Sequence, residues 1–172
     1  MIIGIPSEIK AGEKRVAMSP ANVQSLTDRS VKVLIQADAG SAAGYPDAEY
    51  SAAGATITAD RAEIFAQADI ILQVQSFGSN NENSEADLAS LRSGQLVIGM
   101  MDPLASPQAA QAVAEKGATA IALELVPRIS RAQSMDVLSS MATLAGYKAV
   151  LMGASAAPRI FPRSEERRVG KE

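Results

Sequence analysis

Short apolar runs and helix-spaced apolar residues alternate along most of this chain. The runs 1–5, 31–36, 55–58, 69–75, 95–100 and 119–125 are brief, and most are rich in β-branched residues, so they predict strands. Helical patterns lie between them, over residues 20–27, 47–53, 61–67, 85–92 and 107–116. Ser19 before Pro20 and Ser106 before Pro107 set a capping hydroxyl ahead of a proline at the first helical position. Gly54 and Gly117 stand where two of these helices stop. Strands alternating with helices in this way predict an α/β domain with a parallel sheet. The last run, 119–125, reads as a buried strand because it is apolar almost throughout.

Two segments break the alternation. Residues 77–84 form a polar stretch without periodicity and predict a loop. From Ser134 to about Ala157 the pattern is a long helix, rich in alanine and methionine and apolar nearly all round. That profile predicts a helix buried between two bodies rather than one lying on a surface. On this reading no apolar stretch approaches the roughly 20 residues that cross a bilayer, so no membrane span is expected. The start, MIIGIPSEIK, lacks a basic segment before its apolar residues, and no secretory signal is expected. No G-x-G-x-x-G dinucleotide fingerprint occurs, and Gly4, Gly12, Gly40, Gly44 and Gly54 are isolated turn or cap residues.

Composition narrows the chemistry. With 172 residues, 47% hydrophobic and 20% charged, the chain is globular and can bury a core of ordinary size. A net charge of −3 without a basic run gives no footing for nucleic acid or for an anionic membrane surface. No cysteine is present, which removes disulfides and thiolate chemistry and is compatible with the cytosol. Histidine is absent too, and with it the commonest general acid/base and the commonest metal ligand. Chemistry supported here must use carboxylates, arginine, lysine or a cofactor with its own reactivity.

The richest candidate is the segment 126–140, VPRISRAQSMDVLSS, a polar loop with two arginines at the carboxyl end of an apolar run. Open α/β proteins place their ligands at that end of the sheet. The loop resembles the signature loop of the NAD(H)-binding subunit of proton-translocating NAD(P) transhydrogenases. A second block, IGIPSEIKAGEKRVAMSP at 3–20, resembles the shared amino-terminal signature of alanine dehydrogenases and transhydrogenases. Gly12 departs from it, since the family usually has asparagine there. The similarity runs from Met1 to about Pro162.

The resemblance implies a flavodoxin-like parallel α/β domain over 1–133, then an interdomain helix over 134–162 leading to an NAD-binding Rossmann domain outside this sequence. It implies hydride transfer between NAD(H) and NADP(H) coupled to proton translocation, with this fragment inactive alone. Arg128 would then lie beside the nicotinamide half of NAD(H), with Ile129 and Ser130 in the same cofactor site. Gln133 would bridge toward the partner's nucleotide, and Asp136 and Ser139 would orient the carboxamide. Arg128, Gln133 and Asp136 are thus the catalytic candidates. Asp136 and Ser139, three apart, share one face of a first helical turn. Ser134 and Asp136 also stand where helix caps are favoured. Expected partners are a second alpha subunit, the NADP(H)-binding component and the membrane component, on the cytoplasmic side of the inner membrane.

Two other functions compete. In alanine dehydrogenases the arginine of the RVA motif, here Arg15, holds the substrate carboxylate, assisted by a lysine and a histidine. This chain has Gln73 and Gln75 where that lysine is expected, and no histidine. Arg15 is therefore expected to pair with Glu8 or Glu13. The remaining alternative is a nucleotide-binding or oligomerisation module without catalysis.

The last segment, 163–172, is an abrupt charged decamer, RSEERRVGKE, unrelated to the family pattern. It matches the in-frame translation of a sequencing-adapter oligonucleotide and is expected to be a non-native tail. Deleting it should change stability by less than about 0.5 kcal/mol, as inert surface changes do. A clearly lowered melting temperature after deletion would show instead that it packs.

Overall fold

The computed structural model describes residues 1–80 and 84–159; part of the polar loop and the adapter-like tail at 163–172 lie outside these residues. The chain divides into two compact units, Met1–Val126 and Pro127–Glu172. In the first, strands β1 (Ile2–Ile5), β2 (Lys32–Gln36), β3 (Thr56–Thr58), β4 (Ile70–Gln75), β5 (Leu96–Met100) and β6 (Thr119–Ala122) alternate with helices. These helices are α1 (Pro20–Thr27), α2 (Asp47–Ala52), α3 (Arg61–Gln67), α4 (Glu85–Ser90) and α5 (Pro107–Glu115). Ser19 precedes Pro20 in extended backbone, but its hydroxyl makes no capping bond, whereas the Asp60 side chain does cap α3 through the Ala62 N–H.

All neighbouring strands pair in parallel, in the order β3-β2-β1-β4-β5-β6. The α/β class with a parallel sheet is the expected one. Its strand order, however, is the 3-2-1-4-5-6 of doubly wound dinucleotide domains, not the 2-1-3-4-5 of a flavodoxin-like sheet. Local periodicity says which segments are strands. Their order depends on where each crossover helix finds a face to cover, which no single segment encodes.

Alternation along the strands builds a core on each face of the sheet. Ile3 and Ile5 of β1 and Val33 and Ile35 of β2 pack with Val23 of α1 and Tyr50 of α2. Leu34 and Ile71 face the other way, with Ile64 and Phe65 of α3, Leu91, Val97 and Val113 of α5. Both faces are thus covered, as a parallel sheet requires. Burial pushes the Tyr50 phenol up to about 12, and its hydroxyl donates to the Met18 carbonyl at 2.9 Å.

A largely buried polar network links α3 and α4 to the residues that follow β1 and to β2 and β4. Arg61 of α3 makes two bonds to Asp87 of α4, Nε to Oδ1 at 2.7 Å and Nη2 to Oδ2 at 2.6 Å. Its Nη1 donates to the Ser7 carbonyl and to Gln36 Oε1, and Gln73 Nε2 donates to Asp87 as well. Asp87 is 3% exposed, so its charge depends on these donors.

Four expectations need correction. The run 119–125 is not a buried strand: β6 ends at Ala122, a 3-10 turn follows over Leu123–Leu125, and three of the four strand residues are exposed. β6 is an edge strand with one neighbour, and an apolar sequence cannot reveal how little of it is covered. The long helix, α6 (Val137–Ala156), starts later than Ser134, because residues Ser130–Met135 wind as a 3-10 turn and Asp136 caps the helix. Instead of being enclosed, α6 has no buried residue. It also has the length and composition to cross a membrane, with 20 residues that include an 18-residue stretch of mean hydropathy 1.2. Scattered serines and glycines interrupt its apolar run, but the average over that stretch stays apolar.

Candidate functional site

Two places gather polar side chains. The first is the loop of the second unit. Arg128, Ile129, Ser130, Gln133, Asp136 and Ser139 line one open concavity of about 280 Å³. The 3-10 turn compacts residues 130–135, and the Asp136 cap then launches α6, so six positions spread over the loop face the same space. Asp136 Oδ1 accepts the N–H groups of Leu138 and Ser139, each at 3.0 Å, and Oδ2 accepts the Ser139 hydroxyl at 2.5 Å. The Ser139 bonds, then the Leu138 N–H and the Arg128 charge, hold the Asp136 carboxyl below the ordinary carboxylate range. Ser134 lies inside the 3-10 turn and is not the cap.

The concavity offers a cation, an amide, a carboxylate and hydroxyls around an apolar side chain, Ile129. The Ser139 hydroxyl faces a carboxylate too weakly basic to activate it as a nucleophile. Among the described residues no cluster of three histidine, cysteine, aspartate or glutamate side chains could hold a metal. Such a surface is suited to binding and orienting a polar ring system that carries its own reactivity.

The second place lies in the first unit, where strand order reverses between β1 and β4. The segment after β1 bends over the end of β4. Glu8 accepts the Val74 and Gln75 N–H groups at 2.6 and 2.9 Å, where the β4–β5 register is irregular. Burial pushes the Glu8 carboxyl above its ordinary value, against those two N–H bonds. Arg15 chooses Glu13, with Nε to Oε1 at 2.7 Å and Nη2 to Oε2 at 2.6 Å, and Gln75 Nε2 also donates to Glu13. The Arg15 bond lowers the Glu13 carboxyl to about 2.

That shift has a sign. A folded carboxyl at about 2, against 4.5 in the open chain, contributes stability above pH 4.5 that is lost as pH falls toward 2. Glu13→Gln should cost about 1.5–3 kcal/mol at neutral pH, the scale of a charged hydrogen bond. The melting-temperature gap between the two proteins should close between pH 4.5 and 2. A gap independent of pH would show that the carboxylate is not its source.

Lys10, Gln75, Gly78, Ser79, Met100, Asp102 and Glu124 line an adjacent cleft of about 350 Å³, which the sequence did not single out. Glu124 accepts the N–H groups of Met101 and Asp102 through Oε1, and its buried Oε2 has no hydrogen-bond partner among the described residues. Asp102 has φ of 46°, a left-handed conformation invisible in the sequence. Gly78 is needed here, because a Cβ would meet the Met101 carbonyl at 2.0 Å. Gly12, by contrast, sits in open space with φ of 81°. Glycine and asparagine are the residues that adopt this conformation most easily, which accounts for glycine where asparagine is usual.

A doubly wound sheet with polar clusters beyond the carboxyl ends of its strands marks an α/β domain of the ligand-holding kind. The family model for the alanine dehydrogenase/PNT N-terminal domain matches residues 4–145, and the chain belongs to that family. It is 42% identical over 161 residues to the NAD(P) transhydrogenase subunit alpha of Cereibacter sphaeroides, covering 94% of this chain and 30% of that protein. The crystal structure of transhydrogenase from Sinorhizobium meliloti aligns with a TM-score of 0.84 at 41% identity, over 94% of this chain and 46% of that one. Alanine dehydrogenase of Mycobacterium tuberculosis is 37% identical over 154 residues, 90% of this chain and 39% of that protein. The chain therefore spans less than half the length of these relatives.

Proposed function

We propose that this chain is the amino-terminal part of an NAD(P) transhydrogenase alpha subunit, and that its loop holds the nicotinamide end of NAD(H) during hydride transfer to NADP(H). The supporting observation is the convergence of Arg128, Ile129, Ser130, Gln133, Asp136 and Ser139 on one concavity in a member of this family. Hydride transfer asks little of side chains beyond holding two rings at near-attack distance without water. Arg128 presents planar donors to a phosphate or carboxamide oxygen. Gln133, exposed, reaches toward the nucleotide on a partner domain. Asp136 and Ser139 fix the carboxamide and so the ring face that is offered. In this reading residues 1–133 form the first domain and 134–162 the connection to an NAD-binding Rossmann domain. That domain would cover α6, so α6 is a connector and not a span. Two alpha subunits and a membrane component that moves protons complete the assembly on the cytoplasmic side of the inner membrane. The full-length subunit, combined with its NADP(H)-binding partner, should pass hydride from NADH to an NADP⁺ analogue in single-turnover mixing. Absence of transfer in a folded complex would end this reading.

The alanine dehydrogenase alternative lacks its tools in this segment. Arg15 is engaged twice by Glu13, Gln75 is tied to the same carboxylate, and the chain has no histidine. The full-length protein should give no L-alanine-dependent NADH. Sustained NADH production on adding L-alanine and NAD⁺ would restore that alternative.

A further inference from the structure

We infer that residues 7–15 form a strap that docks over the end of β4 and opens on its own, with the charge of Glu8 deciding how firmly it is held. The inference concerns the first unit alone and stands apart from the nicotinamide reading above.

Residues 6–19 join β1 to α1 without a helix or strand. A connection between strand and helix in such a fold usually takes about 2–6 residues, and a much longer one generally has a task of its own. Its two ends are anchored by packing, since Pro6 is fully buried and Val16, Ala17 and Met18 lie against the core of β1 and β2. Between them no side chain of residues 7–15 joins either core cluster. This stretch is tied down by polar bonds instead. Ser7 N–H donates to Gln36 Oε1, and the Ser7 carbonyl accepts from Arg61. Glu8 takes the consecutive N–H groups of Val74 and Gln75, Lys10 Nζ donates to the Ser79 carbonyl at 2.6 Å, and Gln75 Nε2 donates to Glu13 at 3.1 Å. A segment held without apolar burial belongs to the least stable parts of a fold and can open while the core stays closed. Lys10, Gln75 and Ser79 also line the cleft of about 350 Å³, so opening the strap removes part of its wall.

Glu8 is the tie that changes with pH. Docking takes its carboxyl out of water, and burial raises it; the Val74 and Gln75 N–H bonds act against that rise, the Glu13 charge adds to it and Arg61 of α3 opposes it. The Arg15 guanidinium, on the strap itself, also faces Glu8. A carboxyl raised on docking favours the docked strap while it is protonated. That gain is fully present below the released value of 4.5 and is lost as pH rises through the docked value. Glu13 acts in the opposite sense and in a separate window, because its lowered carboxyl weakens the strap only as pH falls from 4.5 toward 2. The strap is therefore held most firmly near pH 4.5 and loosens on either side.

Amide hydrogen exchange on the full-length protein reads this directly, because the Val74 and Gln75 N–H groups are the ones Glu8 holds. After correction for intrinsic exchange, their protection should fall several-fold between pH 4.5 and 8. Protection at Ile71 and Val97, both fully buried in the neighbouring strands, should not change. Glu8→Gln keeps a carbonyl oxygen for one N–H but cannot ionise, and its protection at Val74 should be independent of pH in this range. Glu13→Gln should keep the fall above pH 4.5 and lose the one below it. If Glu8→Gln does not fold, the wild-type series and Glu13→Gln carry the test. Protection at Val74 and Gln75 that is flat in the wild type, that falls equally in Glu8→Gln, or that changes only together with Ile71 and Val97 overturns the inference.

Discussion

Replacing Asp87 with alanine is expected to destabilise the protein by about 3–5 kcal/mol, the cost of leaving one partner of a buried ion pair alone. Arg61 keeps its bonds to the Ser7 carbonyl and Gln36, but its charge loses two short carboxylate contacts in a place largely closed to water. Gln73, itself 3% exposed, loses its acceptor at the same time. A domain of this size has a total stability of roughly 5–15 kcal/mol, so the variant should lie close to unfolding. Urea denaturation followed by circular dichroism reads the effect directly. A shift below about 1 kcal/mol would mean that water or a neighbouring group replaces the carboxylate, and that the network is not what ties α3 and α4 to the strand ends. The double variant with Arg61 replaced by methionine should recover part of the loss, because removing both charges removes the uncompensated one.

If the proposed function holds, Arg128→Ala should separate binding from chemistry in the full-length subunit joined to an NADP(H)-binding partner. The loss of one charged hydrogen bond should weaken NADH binding by about 1–2 kcal/mol. Single-turnover hydride transfer should fall much further, by roughly a hundredfold, since small misplacement of reacting rings costs on that scale. The difference arises because ring alignment contributes mainly in the transition state, whereas the rest of the dinucleotide is held elsewhere in either case. Titration and transfer rates on the same preparation distinguish the two. If transfer stays near the wild-type rate while binding weakens, Arg128 is an anchor only, and the orienting role proposed for this loop fails.

Much of the second unit's candidate site was legible because its residues are close together in the sequence. Arg128, Gln133, Asp136 and Ser139 fall within one loop and one helix start, and local turns suffice to bring them to a common concavity. The same locality hid a distinction. The three-residue spacing of Asp136 and Ser139 fits two residues on one helical face and also fits a cap with its partner. The structure has the cap. The cleft beside Gln75 was not legible, because Lys10, Ser79, Asp102 and Glu124 come from four separate connections and meet only in the folded sheet.

By itself the sequence determined most of the strands and helices, though not the 3-10 turns at 123–125 and 130–135, since apolar periodicity and proline or glycine punctuation act within one segment. It also determined that no histidine or cysteine chemistry is available in this chain. Tertiary structure alone decided the 3-2-1-4-5-6 strand order, the exposure of β6 and α6, the pairing of Arg61 with Asp87, and the choice of Glu13 over Glu8 as the partner of Arg15. Glu8 was drawn instead to two backbone N–H groups at the irregular end of β4. Each of these outcomes is a competition among groups distant in sequence for the same neighbour. Packing of the whole sheet settles it, because a buried donor or charge left without a partner costs more than any local preference returns.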